Sequence, residues 1–238
     1  MNTRICITAN GNADMGILHM GHAYLALVNE YAAHSTGGKF WLRFDDAQIP
    51  WVNLLGEANI RLNCLQIQKE LTWLGIECDG IGYHSMEKVW VNPIIKDCLG
   101  CEESAAYSEV PVATWTRAPQ YPYTEYLTAE NVILDAHESI DTVICGEELL
   151  SRWGLYLFIQ KKLNLPKTNH IFIPRLKTMY GGEINSVSKT IGRNKLRDCM
   201  LRGDRGEDIA DYLASLCKKD YYAGWDTNNL RDNPILLQ

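Results

Sequence analysis

The sequence lacks the features that would place this chain in a membrane or outside the cell. No apolar run approaches the ~20 residues that a membrane-spanning helix requires. The N-terminus, MNTRICITANG, has no charged segment followed by an apolar one, as a secretory signal would have. The eight cysteines are scattered without the spacing of a disulfide scaffold, which fits a reducing compartment. We therefore expect a cytoplasmic protein with no membrane partner.

Positive charge is also scarce. The chain has 23 Lys and Arg against 29 Asp and Glu, and its formal net charge is −6. Extensive wrapping of nucleic acid is therefore not expected, although the net charge still allows a local basic patch. Between Lys189 and Arg205 basic residues outnumber acidic ones. This stretch could follow a phosphate backbone, but a solvated helix face is the default interpretation.

What is present is the pattern of an ordinary α/β protein. The chain has 238 residues, of which 46% are hydrophobic and 22% charged, as in globular domains. Short apolar segments alternate with amphipathic ones, which predicts a parallel sheet of the Rossmann type. The predicted strands are residues 4–8, 39–44, 141–145 and 170–174, and the predicted helices are residues 23–33, 56–74, one from 147 and one around 209–216. From about residue 78 to 123, prolines interrupt the pattern, and we expect a small inserted module there.

Two histidines mark a candidate phosphate site. His19 and His22 flank Gly21, after the first predicted strand and at the start of the first predicted helix. A strand, a glycine-bearing turn and a helix present backbone N–H groups to an anion. The two imidazoles add side-chain donors at the same place. The sequence therefore predicts a site for nucleotide phosphates.

Other candidate groups have less specific patterns. Asp45 and Asp46 end the second predicted strand, where ligands of open α/β sheets gather. Cys98 and Cys101 form a CxxC with His84 as the nearby further candidate, but ordinary thiols are the preferred interpretation and no metal site is predicted. The three tyrosines at 121, 123 and 126 could stack on a nucleotide, although packing is the simpler interpretation.

Four motifs in order resemble a known family. They are LHMGH at residues 18–22, GGKFWLRFDD at 37–46, VICGEE at 143–148 and VSK at 187–189. They resemble, respectively, the HIGH signature of class I aminoacyl-tRNA synthetases, the GGKFxLRxED and VIRGED of the glutamyl branch, and the core of KMSKS. The resemblance spans roughly residues 3–200 and extends to the short glutamyl-queuosine tRNA synthetases. It implies a class I synthetase core of Rossmann type.

The resemblance also implies roles for single residues, with ATP and Mg²⁺ as substrate and cofactor. The implied catalytic residues are His19, His22 and Lys189. The implied ATP-binding residues are His19, Gly21, His22, Glu148, Ser188 and Lys189. The implied amino-acid-binding residues are Arg4, Thr8, Asp45, Tyr126, Asn131 and Cys145. Cys145 stands where the family motif has an arginine, and Ser186 stands where KMSKS has its first lysine.

The resemblance implies a division into four parts. Residues 1–80 would be the first half of the Rossmann domain and 81–125 an inserted acceptor-binding-like module. Residues 126–195 would be the second half with the KMSKS-like loop, and 196–238 a helical extension without an anticodon-binding domain. The expected function is ATP-dependent activation of glutamate or a related amino acid, with transfer to tRNA or another acceptor. The alternatives are nucleotidyl transfer to a non-amino-acid substrate, and a degenerate paralogue that only binds nucleotide or RNA.

Overall fold

The fold was analysed in a computed structural model, which describes residues 1–9, 18–46, 55–99, 121–173 and 195–220. In the described residues of the first half, three strands alternate with three helices. They are β1 (Thr3–Thr8), α1 (Met20–Ser35), β2 (Phe40–Asp45), α2 (Glu57–Trp73), β3 (Gly80–Tyr83) and α3 (His84–Leu99). This alternation is the pattern of β-α-β units, whose connecting helices cover the faces of a parallel sheet.

The second half repeats the alternation with helices of different lengths. Its elements are α4 (Tyr121–His137), β4 (Thr142–Gly146), a 3₁₀ segment (Glu147–Arg152), α5 (Trp153–Lys162), β5 (Asn169–Ile173), α6 (Leu196–Arg202) and α7 (Gly206–Asp220). None of the helices in the described part of the chain is long and apolar enough to cross a membrane.

The strands form two parallel sets that meet beside β1. The first set has the order β1-β2-β3 and the second pairs β4 with β5. The backbone carbonyl of Asn2 accepts hydrogen bonds from the N–H groups of Asp141 and Thr142, both at 3.2 Å. β4 therefore begins next to β1, and the spatial order is β3-β2-β1-β4-β5. This is the order of the doubly wound Rossmann fold, and it confirms the predicted fold class.

The main apolar core lies on the sheet face that α1 and α2 cover. Alternate residues of the strands point to this face, among them Ile7 and Leu42, and both are buried. Alanines of α1 such as Ala23 and Ala26 let the helix approach the sheet closely. The opposite face, under α4 and α5, carries polar side chains from β1 and β2 among its apolar contacts. This polar face positions the candidate site.

The structure differs from the sequence-based expectation between residues 80 and 137. Gly80–Tyr83 pair with β2 as a third parallel strand, in the segment that the sequence assigns to the inserted module. Pro93 lies inside α3, where packing of Val91 and Ile95 against α4 offsets its missing N–H. Pro122 occupies the first turn of α4, a position that suits proline. The division of the chain into domains stays a prediction.

Candidate active site

His19 and His22 meet at the first turn of α1. His19 is the N-cap residue, and its Nδ1 accepts hydrogen bonds from the N–H groups of Gly21 at 3.1 Å and His22 at 3.4 Å. The two imidazole rings stack with their centroids 3.7 Å apart. A Cβ atom at Gly21 would lie 2.9 Å from Cε1 of His19, so a larger residue here would force the His19 ring to shift.

This capping changes how an anion can bind. The N–H groups of Gly21 and His22 are engaged by His19, which differs from the free backbone donors that the sequence predicts. Because Nδ1 of His19 accepts hydrogen bonds, it carries no proton there, and the neutral ring carries its proton on Nε2. The imidazoles, at the positive end of the helix dipole, are then the groups suited to phosphate oxygens.

A buried carboxylate binds the backbone just before this helix. Glu70 of α2 is fully buried and accepts hydrogen bonds from the Leu18 N–H at 3.0 Å and from Nε2 of Gln66 at 2.9 Å. The carbonyl of Leu18 accepts the N–H of Leu196 at 3.1 Å, and His19 forms an antiparallel bridge with Lys195. Lys195 and Leu196 therefore lie beside the start of α1, next to the histidine pair.

A second polar group lies where β1, β2 and β3 end. Thr8 Oγ1 donates to Oδ2 of Asp45 at 3.1 Å, and Asp45 is 3% exposed. His84, which follows β3 and is fully buried, places Nδ1 2.9 Å from Oε2 of Glu130 and 3.7 Å from Oδ1 of Asp45. The predicted residues Thr8 and Asp45 are thus together. Their neighbours His84 and Glu130 come from α3 and α4.

Behind these residues a buried carboxylate pairs with two guanidinium groups. Asp135 of α4 accepts from Nε and Nη2 of Arg4 at 2.7 and 2.8 Å. Its Oδ1 also lies 2.7 Å from Nη1 of Arg43, while Nη2 of Arg43 contacts Glu138. Tyr156 of α5 donates its hydroxyl to the same aspartate. Both oxygens of the Asp135 carboxylate therefore have partners.

The pKa values in this buried network follow from the pairing. Burial by itself would raise the pKa of Asp135, but Arg4 and Arg43 outweigh it and hold that pKa well below its usual range. Burial together with the charge of Asp135 raises the pKa of Tyr156 well above its usual range. His170, near Arg4, has its pKa lowered to about 4, mainly by burial. The network therefore holds ionised Arg–Asp pairs at neutral pH.

Burial and the nearby acids act in opposite directions on His84. Removal from water would lower the pKa of its imidazole, while Glu130 and Cys6 raise it, and the net result is a pKa well above the ordinary value. His84 is therefore an imidazolium in the neutral pH range.

The remaining predicted amino-acid-binding residues do not share one environment. The Arg4 guanidinium is committed to Asp135 and offers it two nitrogens. Asn131 accepts from Nη1 of Arg43 at 3.0 Å through Oδ1. Tyr126 is buried in the apolar contact between α3 and α4 and donates to Asn92. Cys145 is buried with Val143 in an apolar cluster. Binding of an amino acid by these four residues stays a prediction.

Several predicted residues lie outside the described residues. They are Ser186, Ser188, Lys189 and Cys101, and the side chain of Glu148 is likewise not described. Cys98 is buried in the apolar cluster of α3 and α4. Within the described ranges, no group of three His, Cys, Asp or Glu side chains is arranged to hold a metal ion.

The sequence-based prediction did not include the residues of α3 and α4 that contact the candidate site. His84 was considered for its position near a CxxC, and neither Glu130 nor Asp135 was singled out. A sequence signal was available for Asp135, because an ionisable residue within the apolar run VILDA of a helix requires a partner when buried. No comparable signal marked His84.

Sequence comparisons find similarity to aminoacyl-tRNA synthetases. The family model described as tRNA synthetases class I (E and Q), catalytic domain, matches residues 12–109. A glutamyl-Q tRNA(Asp) synthetase of Rhodobacter capsulatus is 28% identical over 102 residues, covering 39% of this chain and 34% of that protein. A glutamate–tRNA ligase of Chelativorans sp. is 41% identical over 64 residues, covering 27% of this chain and 12% of that protein.

Solved structures extend the likeness beyond the matched sequence. A glutamate-tRNA synthetase from Elizabethkingia anophelis superposes with a TM-score of 0.57 at 15% identity, over 81% of this chain and 54% of that one. A tyrosyl-tRNA synthetase from Archaeoglobus fulgidus, complexed with L-tyrosine, gives 0.61 at 13% identity, over 82% and 60%. At these identities the likeness shows the fold.

These findings indicate a class of protein. Over residues 12–109 the chain is similar to the class I tRNA synthetase catalytic domain, and it has the same Rossmann-like fold, as the motifs predicted. The curated relatives that it matches include glutamate–tRNA ligases and glutamyl-Q tRNA(Asp) synthetases. The chain spans about a third or less of the length of these curated relatives.

Proposed function

We propose that this chain catalyses the ATP-dependent activation of an amino acid to its aminoacyl-adenylate. The observation that carries the proposal is the stacked pair His19–His22 at the N-terminus of α1, at the carboxyl edge of the sheet where Thr8 and Asp45 also lie. In a parallel sheet the first turns of the connecting helices and the strand ends share one edge. The groups that we propose to bind phosphate and the amino group therefore share this edge.

The reaction requires mainly positioning and compensation of charge. A carboxylate oxygen of the amino acid attacks the α-phosphorus of ATP, forming an O–P bond, and the bond to pyrophosphate breaks. His19 would donate through Nε2–H to phosphate oxygens, and His22 would stabilise the charge that develops on them. Mg²⁺ would neutralise the other phosphate oxygens. Asp45, held by Thr8, would accept the amino group of the substrate.

Lys189 is proposed to neutralise the departing pyrophosphate, with Ser188 beside it and Glu148 near the ribose. The proposal is supported by Lys195, which forms a bridge with His19 and follows Lys189 by six positions in the sequence.

Glutamate is the amino acid that the relatives' names suggest, but the site adds a condition. Arg4 already donates to Asp135 through Nε and Nη2, so a side-chain carboxylate would have to use its remaining N–H groups or displace Asp135, and Cys145 supplies no cation. The proposal therefore covers glutamate or a related amino acid. The acceptor is proposed to be the end of a tRNA, or a small molecule or carrier.

The test is ATP–pyrophosphate exchange with each of the twenty amino acids, with and without total tRNA. Exchange that depends on one amino acid supports adenylation. Pyrophosphate release that requires a different kind of acceptor supports nucleotidyl transfer instead. ATP binding in a calorimetric titration, without exchange in any mixture, supports the binding-only alternative.

A matched pair of histidine variants assigns the site. His22→Ala should abolish exchange, because it removes one ring of the stacked pair. His34→Ala, at the far end of the same helix, should retain it, since the His34 side chain is 41% exposed and pairs with Asp79. Thermal melting by circular dichroism checks that both variants fold. Unchanged exchange in His22→Ala would refute the assignment.

A further inference from the structure

A thiol, an imidazole and a carboxylate from three elements line up at the end of the sheet. Sγ of Cys6 on β1 lies 4.0 Å from Nε2 of His84. The other nitrogen of that ring, Nδ1, lies 2.9 Å from Oε2 of Glu130. His84 and Glu130 are buried, at 0% and 2% exposure, whereas Cys6 is partly exposed. The thiol is therefore the accessible end of a chain whose other members are fixed in the interior.

This order of groups is the arrangement that activates a nucleophile. A base contacts the nucleophile with one nitrogen, and a carboxylate orients the base through the other. The titratable groups around His84 are Cys6 from β1, Asp45 from β2 and Glu130 from α4. The two carboxylates favour the protonated imidazole, in agreement with the raised pKa of His84. A cationic imidazole next to the sulfur would stabilise the negative charge that the sulfur carries when it attacks.

The thiol also lies in the region proposed for the amino acid. Cys6 and Thr8 are two residues apart on β1, so their side chains project from the same face of the sheet. Thr8 donates to Asp45, and Asp45 in turn approaches His84. His84 therefore lies between the thiol of Cys6 and Asp45, the residue proposed to receive the amino group.

We propose that Cys6 is a catalytic nucleophile that takes the aminoacyl group from the adenylate and holds it as a thioester, with His84 and Glu130 as its positioning residues. The inference rests on the proposed function. The thiolate sulfur attacks the carbonyl carbon, a C–S bond forms, and the C–O bond to the phosphate breaks. AMP leaves with the electron pair, and the thiol proton goes to solvent before the attack, because His84 is already protonated. An acceptor hydroxyl or amine can then attack the thioester and release the thiol.

The experiment measures the acyl group on the protein itself. The chain is incubated with ATP, Mg²⁺ and the amino acid that supports exchange, quenched in acid and examined by intact-protein mass spectrometry. We expect a mass increase of one aminoacyl group that hydroxylamine removes and that is absent without ATP. The adduct should be lost in Cys6→Ser and retained in Cys78→Ser. Cys78 is a suitable control thiol because burial, Glu30 and Asp79 raise its pKa to about 12.

A second measurement does not depend on adenylation. Alkylation of single thiols by iodoacetamide at pH 6 should be at least tenfold faster at Cys6 than at Cys78, because only the thiolate reacts. His84→Gln should slow the alkylation of Cys6 about tenfold and leave that of Cys78 unchanged, and Glu130→Gln should slow Cys6 less. Melting curves of each variant establish that it is folded, and the wild-type comparison of the two thiols needs no variant.

The outcomes separate this inference from the proposed function. Exchange together with a hydroxylamine-labile adduct at Cys6 supports both. Exchange without an adduct, or equal alkylation of Cys6 and Cys78 at pH 6, overturns the thioester and leaves adenylation standing. Absence of exchange with every amino acid overturns adenylation and with it the acyl transfer to Cys6.

Discussion

Replacing Asp135 by asparagine removes a negative charge that two buried guanidinium groups share. Arg4 donates twice to this carboxylate, at 2.7 and 2.8 Å, and Arg43 approaches it at 2.7 Å. Arg4 is 8% exposed, Arg43 1% and Asp135 0%, so water cannot take the place of the carboxylate. The asparagine keeps the shape of the side chain but presents an N–H₂ group where an acceptor is needed.

The expected loss of stability is large. Breaking a buried ion pair by removing one partner costs about 3–5 kcal/mol. We take about 4 kcal/mol, because Glu138 still contacts Arg43 after the change. With a urea m-value of about 3 kcal/mol/M, the unfolding midpoint should fall by about 1.3 M. Urea unfolding followed by circular dichroism at 25 °C and pH 7 measures this shift.

An exposed pair on α7 provides the control. Glu207 pairs with Arg205, and their side chains are 77% and 70% exposed. Glu207→Gln should therefore leave the urea midpoint unchanged within error, since exposed pairs contribute little. An Asp135→Asn midpoint within about 0.3 M of the wild type would refute the reasoning, because it would mean that the two guanidiniums do not depend on this carboxylate.

Two further predictions concern the histidines. Gly21→Ala should lower the rate of ATP–pyrophosphate exchange by about tenfold, since its Cβ would force His19 from the N-cap position and misplace the stacked ring; a wild-type rate would show that the stack is not needed. The raised pKa of His84 should stabilise the fold fully below about pH 6.5, with the contribution lost as pH rises through the folded-state pKa. Urea midpoints from pH 5 to 9 should therefore decline at the alkaline side in the wild type and stay level in His84→Gln, and equal slopes in the two proteins would contradict this.

Much of the local structure could be predicted from the sequence. The 3.6-residue period from Ile60 to Leu71 predicted the helix observed as Glu57–Trp73, and the β-branched run after Asn2 predicted the strand observed as Thr3–Thr8. The histidine pair was also recognisable, because its residues lie within four positions of one another. Local spacing determines such features, and the alternation of strands and helices determined the fold class.

The helix from Tyr121 to His137 shows where the local pattern was insufficient. Its first residues, with Pro122, fall in the segment 81–125 that was expected to be an inserted module, but packing against α3 and the sheet favours the helical state. The strand Gly80–Tyr83 is four residues long and contains two glycines, so its own sequence favours no strand. Its place is set by the edge of β2, and Gly80 and Gly82 leave room for the side chains of Trp41 and Glu138, respectively.

For the candidate site too, part of the chemistry could be predicted from the sequence and part depended on the tertiary structure. The sequence by itself determined which residue types follow the first strands, and so predicted the phosphate site at His19 and His22. Only the tertiary structure decided the partners, because Arg4 and Asp135 are separated by 131 positions and Cys6 and His84 by 78. Such pairs depend on strand register and on which helix face meets the sheet. Burial then fixes their charges, and no pattern within a single segment carries that information.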